Sequence, residues 1–345
     1  MRDSRSPAVM ACINHSNAAP ALETHEFRVS SDPGIDIYVR NKHPSGMTQF
    51  DSANTVLFVH GATYPAESAF DLPLDGASWM DLIAREGYDV YLLDIRGYGL
   101  STRPPQMAAP AVDNPPFATA AQALVDIDAV VDFIRQRRGI DRLVLLGWSW
   151  GTATTQQYTC EFGDKVEKLV LYAPMWIRRT PFPISTGNGP LGAWRAVSSD
   201  QALARWRNGV PPDKVVGLIP PGWFEAFMQA SQASDPIGAA QTPPVVRAPN
   251  GVIADAMRQA ATDRMDWDPA EIRVPVLLIV AEWDRDTPVE MARELFALMV
   301  NAPQKRYIEL GEGTHMVIME KHRMQLIREV QLFLDERPVV RGVAV

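Results

Sequence analysis

Hydrophobic positions along this chain come in two rhythms. Short unbroken apolar runs occur in "NTVLFVHG" (54–61), "YDVYLLDIRG" (88–97), "RLVLLGW" (142–148), "VEKLVLYAPM" (166–175) and "VPVLLIVAEWD" (274–284). Runs of that length between turn residues read as strands buried on both faces. Segments with helical spacing lie between them. "SWMDLIAREG" predicts a short helix stopped by Gly87. Over 118–138, Leu124, Ile127, Val131 and Ile134 recur on one face, Asp126, Asp128 and Asp132 fall elsewhere, and Gly139 follows a basic last turn. "WGTATTQQYTCEFG", a segment near 288–299 and one near 320–335 read as further helices, and "KRYIEL" as a last strand. "FRVSS" and "IDIYVRN" turn through "DPG", a hairpin signal. Strands alternating with helices predict an α/β fold: a mostly parallel central sheet with helices on both faces and an antiparallel hairpin at its edge.

The rhythm breaks between 177 and 268. This interval is rich in proline and holds Trp194, Trp206, Trp223 and Trp267; "LGAWRAVSSDQALARWRNG" and "GVIADAMRQAATDRM" look helical. Four tryptophans favour an inserted helical lid with its own apolar surface over a loop-rich stretch of core. The expected organisation is a flexible tail over 1–24, a core formed by 25–176 and 269–345, and a lid over 177–268. The tail has early arginines and a short apolar run, but polar "NHSN" interrupts it, so a tail is favoured over a cleaved signal.

Composition narrows the class. A formal charge of −8 is the wrong sign for a general nucleic-acid binder. No run reaches the length needed to span a bilayer. Two cysteines, Cys12 and Cys160, offer no disulfide framework and read as free thiols, which suits the cytoplasm.

The chemistry centres on "GWSWG", Gly147 to Gly151, which ends a predicted strand and opens a predicted helix. A G-x-S-x-G pentapeptide arises by chance in roughly one chain of this length in ten, given glycine at ~7% of average sequence. Its position gives it weight: a strand-to-helix turn that tight brings flanking positions against backbone, so only glycine fits there. Ser149 would stand above the sheet edge beside a helix N-terminus. A serine needs a base and an orienter for that base. Of six histidines, His315 in the Gly-rich loop "LGEGTHM" is the one placed to hang over the sheet's C-terminal edge. His60 reads as a structural hydrogen-bonding residue beside the site, and His322 as solvated. "AEWDRDTP" offers Glu282, Asp284 and Asp286; Asp284 is preferred as the acid, and Asp286, the fallback, otherwise caps the helix near Pro288. Oxyanion donors would be the backbone N–H groups of Trp150 and of Ala62, with Thr63 the alternative. Trp148 reads as packing beneath the turn, and with Thr63, Tyr64, Trp176 and Trp223 as a candidate pocket residue. The lid tryptophans suggest an apolar or aromatic substrate or, equally, the lid's own core.

Taken in order, "VHG", "DIRGYGLS", "GWSWG", "AEWD" and "GTH" make residues 25–336 resemble the alpha/beta-hydrolase superfamily. The resemblance implies a lidded serine hydrolase with Ser149, Asp284 and His315 as its triad, and structural roles for Asp94 and Arg96. The elbow is similar to that of proline iminopeptidases, but "HGATYP" departs from their usual H-G-G-P-G. The expectation is hydrolysis of a carboxylic ester or amide of a small molecule through an acyl-enzyme, with no cofactor and no metal. Acyl transfer, C–C bond hydrolysis, an aminopeptidase and a non-catalytic binding protein on the same scaffold are the alternatives.

Overall fold

The computed structural model describes residues 20–180, 184 and 189–337. Cys12 and most of the expected tail lie outside them. In chain order the elements are β1 (Leu22–Asp32), β2 (Ile35–Pro44), β3 (Thr55–Val59), α1 (Ala66–Phe70), α2 (Trp79–Arg85), β4 (Asp89–Leu93), α3 (Ala120–Arg138), β5 (Leu143–Trp148), α4 (Trp150–Glu161) and β6 (Val166–Tyr172). There follow β7 (Trp194–Ser198), α5 (Ser199–Trp206), α6 (Trp223–Ala233), α7 (Pro236–Ala239), β8 (Val245–Pro249), α8 (Gly251–Thr262), β9 (Val276–Ala281), α9 (Val289–Leu298), β10 (Lys305–Leu310) and α10 (Arg323–Asp335).

Eight strands form one sheet in the order β1-β2-β4-β3-β5-β6-β9-β10. The six from β4 to β10 run parallel, and the β1–β2 hairpin joins β4 antiparallel. Alternate strand residues feed two cores. Leu57, Val59, Leu145 and Leu278 pack with α3, α4 and α9 on one face. Val56, Phe58, Leu146 and Ile279 pack with α2 and α10 on the other. Burial on both faces is why these strands are apolar at every position. Local signals set the helix ends. Ser78 with Asp81, and Thr119 with Gln122, close capping boxes at α2 and α3, and Gly139 ends α3 with φ 67°.

Two expectations need correction. β1 begins at Leu22, so Leu22–Thr24 belong to the sheet rather than to a tail; they extend the hairpin by pairing with Pro44, His43 and Lys42. The first part of "LGAWRAVSSDQALARWRNG" is a strand, not a helix. Trp194–Ser198 pairs antiparallel with Val245–Pro249 in a separate two-stranded sheet. The helix starts only after Ser198, which forms a capping box with Gln201.

Among its described residues, the segment between β6 and β9 therefore carries this ribbon and four helices, α5 to α8. A buried ion pair ties it together. Arg247 of β8 grips Asp235 through both carboxylate oxygens at 2.7 and 2.9 Å. Asp94 and Arg96 act as structural ties. Asp94 accepts from the N–H groups of Ala66 and Leu100, and Arg96 binds Asp126 and Asp32. No helix among the described residues is long and apolar enough to cross a membrane.

Candidate active site

β5 ends at Trp148 and α4 begins at Trp150, so Ser149 alone makes the turn, at φ 56° and ψ −119°. A positive φ strains a residue that has a Cβ, and it persists only where the surroundings over-determine it. Here the Ser149 N–H donates to the Tyr172 carbonyl at 3.0 Å, and the Ser149 carbonyl accepts from Thr152 N–H at 2.8 Å. Close approach explains the glycines. A Cβ on Gly147 would overlap the Gly151 carbonyl, and one on Gly151 would overlap the Val59 carbonyl.

His315 follows β10 on a loop held from several sides. Its carbonyl accepts from the Tyr172 hydroxyl at 2.8 Å and from the Trp148 indole at 3.3 Å. The adjacent Thr314 N–H donates to Glu320 at 3.0 Å. His315 Nδ1 lies 2.8 Å from Asp284 Oδ2, which places the ring proton on Nδ1 and leaves Nε2 as the basic nitrogen. Asp284 is buried and fully partnered: Oδ1 accepts the N–H groups of Asp286 and Thr287 at 2.8 and 2.7 Å, and Oδ2 also accepts the Thr287 hydroxyl at 2.8 Å.

Ser149, His315, Ala62 and Asp286 line one cavity, which continues into a second through Ala62, Ser149, Arg205 and Asp286. Tyr64, Trp148, Trp206 and Met316 wall the first lobe. Met175, Trp176, Val252 and Met291 wall the second. The Ala62 carbonyl is pinned by the Tyr98 hydroxyl at 2.8 Å and by Arg195 of β7 at 2.6 Å, and Arg195 also reaches the Thr63 hydroxyl at 2.9 Å. The Ala62–Thr63 loop is thereby fixed beside Ser149. The Trp150 N–H sits in the first turn of α4, where a helix offers no acceptor of its own.

Asp286 does not cap α9; no side chain bonds that helix start. Its carboxylate instead meets Arg205 of α5 at 2.6 Å and approaches His315 Nε2 at 3.9 Å. Burial opposes charge on all three groups, and their mutual attraction overrides it. His315 is raised above its ordinary value by Asp284 and Asp286, while Asp286 is lowered by Arg205 and His315. His60 is buried and neutral, its Nε2 accepting the Ile95 N–H at 3.0 Å and its Nδ1 donating to Gly61 O at 2.7 Å; burial lowers its pKa.

Of the other pocket candidates, Thr63 and Tyr64 line the first lobe and Trp176 the second. Trp148 both lines the first lobe and stacks on Tyr172 beneath the turn, their rings 8° from parallel. Trp223 lines neither lobe. It packs under the Arg323 guanidinium at the base of α10, because α6 turns that face toward the core. Sequence reasoning missed Arg195, Arg205 and Thr287. The two arginines sit in a segment read as helical, and nothing local marked them as inward-pointing. Thr287 follows the acidic pair directly and was findable as a local donor to it. Among the described residues, the one group of side chains that converges as metal donors is Glu23, His25 and His43, on the β1–β2 hairpin.

Residues 54–322 match the sequence model of the alpha/beta hydrolase fold family. Among curated proteins, the chain is 24% identical over 302 residues to mouse Protein ABHD8, covering 84% of this chain and 60% of that protein. It is 28% identical over 131 residues to human Lipase member M, covering 37% and 30%. The chain thus spans less than two thirds of the length of both relatives. Among solved structures, a serine hydrolase from the hydrocarbon-degrading bacterium Cycloclasticus zankles superposes with TM-score 0.61 at 18% identity, covering 91% of this chain and 98% of that one. A 2-hydroxy-6-oxo-6-phenylhexa-2,4-dienoate hydrolase from Rhodococcus sp. strain RHA1 does so with TM-score 0.57 at 16% identity, covering 91% and 100%. At such identities the likeness is one of fold.

Proposed function

Since the chain belongs to the alpha/beta hydrolase fold family, we propose that it is a serine hydrolase cleaving a carboxylic ester or amide through an acyl-enzyme on Ser149. The observation that carries this reading is the cavity in which a strained-turn serine shares walls with a histidine bonded through Nδ1 to a buried carboxylate. In the proposed reaction His315 Nε2 takes the Ser149 hydroxyl proton as Oγ attacks the carbonyl carbon. The N–H groups of Ala62 and Trp150 receive the oxyanion. His315 returns the proton to the leaving group as the carbon–heteroatom bond breaks. Water, deprotonated by the same nitrogen, then releases the acid and restores Ser149. Asp284 holds the tautomer and balances the imidazolium charge.

The two lobes meeting at Ser149 suit a substrate with an apolar group on each side of the scissile bond. Residues of α5 line both lobes and residues of α8 line the second, which supports a lid role for the 177–268 insertion. The test is intact-mass analysis after fluorophosphonate treatment, followed by an ester and amide panel. One adduct on the wild type, absent in Ser149→Ala, with hydrolysis lost in the same variant, is the expected result. A folded wild type that forms no adduct, or a Ser149→Ala variant with near-normal turnover, overturns the proposal.

A further inference from the structure

We propose that the β1–β2 hairpin carries a zinc-class divalent cation site made by Glu23, His25 and His43, separate from the catalytic cavity. The placement comes from the sheet itself. Glu23 and His25 are two apart on β1 and so share a face, and His43 is the direct cross-strand partner of Glu23. One donor atom from each side chain lies within 4.8 Å of the other two. The Glu23 Oε2 to His25 Nε2 separation is 3.7 Å. Ligands at Zn–N distances of 2.0–2.1 Å in tetrahedral array stand about 3.3 Å apart, so the Glu23–His25 pair is already near ligand spacing and the widest separation needs at most about 1.5 Å of closure, within reach of side-chain rotation.

The backbone already orients two of the ligands. His43 Nδ1 sits 3.0 Å from the Pro44 carbonyl, which holds the ring proton there and turns Nε2 into the free lone pair. Glu23 Oε1 accepts the Gly46 N–H at 3.0 Å, leaving Oε2 to face His25. The His43 ring is fixed between His25, stacked at 5.4 Å, and Phe50, edge-on at 5.7 Å. Glu23 and His25 remain roughly two-fifths exposed, so a cation and its completing water can enter. Two imidazoles and one carboxylate favour zinc and its borderline neighbours over calcium or magnesium, which take oxygen ligands.

The site's place in the fold tells its role. β1 is an edge strand with β2 as its one neighbour in the sheet. Lys42 pairs with Val90 near the start of β4, so His43 lies at the edge of the sheet opposite Ser149. A cation there cross-links the open end of the hairpin and has no path to the reacting atoms. The expected consequence is stability of the edge, not catalysis.

The test uses the full chain, freed of metal by chelator dialysis and titrated with Zn²⁺ against a chromophoric competitor. One equivalent should bind. His25→Gln and Glu23→Gln, both at exposed positions, should each weaken binding at least tenfold, since loss of a ligand exceeds the roughly 10–100-fold cost of losing an outer partner. His322→Gln should leave it unchanged. Zn²⁺ should raise the unfolding temperature of the wild type and not of His25→Gln. Absence of stoichiometric binding, or binding that survives both ligand substitutions, overturns the proposal. Neither outcome touches the reading of Ser149.

Discussion

The carboxylate of Asp286 lies 3.9 Å from His315 Nε2, the nitrogen proposed to accept the serine proton. Two unit charges at that distance attract by about 4 kcal/mol at an effective dielectric constant near 20. Arg205, at 2.6 Å from the same oxygen, cancels much of this. A carboxylate beside an imidazole favours the protonated ring; the guanidinium weakens that pull, and the net contribution of Asp286 is still to raise His315. The sign is fixed by chemistry. Burial alone would lower His315, but Asp284 and Asp286 raise it, and the base works only when neutral. Asp286→Asn should therefore move the acid limb of reactivity to lower pH. Arg205→Met, which removes the opposing guanidinium, should move it upward. The assay is the second-order rate of fluorophosphonate reaction at Ser149 between about pH 5 and 9, where a histidine base titrates; it needs no knowledge of the substrate. By contrast, Asp284→Asn should depress the rate at every pH, by as much as about 10⁴-fold if its role is that of a triad acid. A limb that stays put in Asp286→Asn, or rises, refutes the electrostatic reasoning.

Two further outcomes concern the scaffold. Gly151→Ala forces a Cβ into the Val59 carbonyl, so chemical denaturation should show a loss of about 1–3 kcal/mol, and Ser149 labelling should fall with it. Arg247→Met leaves Asp235 buried without its main partner and should cost about 3–5 kcal/mol, with faster proteolysis between 194 and 262 as a second readout. Although burial opposes it, Arg247 and Arg103 hold the Asp235 carboxyl below the usual aspartate range. The pair's stabilisation is thus present above that range and is lost as pH falls through the lower folded value. A denaturation midpoint unchanged in either variant would contradict the packing described.

The strands β3, β5, β6 and β9 were legible in the sequence because a strand covered on both faces must be apolar throughout. The end of α3 was legible where the stop signal is local, at Gly139. Ser149 between two glycines was legible for a similar reason: the constraint is a clash within five residues and their neighbouring strand. The hairpin was legible through its turn, but not its length, since the pairing of Leu22 with Pro44 depends on both strands at once.

Other features have no local signature. "AWRAV" carries no strand alternation; it is a strand because Val245–Pro249, distant in sequence, supplies its partner. Asp284 and Asp286 stand two apart, and their composition does not distinguish them. Only the fold turns one toward His315 Nδ1 and the other toward Nε2 and an arginine from the insertion. Arg195 is polar surface by its residue type, yet the ribbon buries it against the Ala62 carbonyl. Sequence alone thus determined the order of the core strands and helices and the Ser149 turn, because backbone sterics and one-face burial act over a few residues. The pairing of charges around His315, the two-lobed cavity and the Glu23–His25–His43 cluster were decided by tertiary structure, because electrostatic and ligand contacts depend on distances that only packing sets.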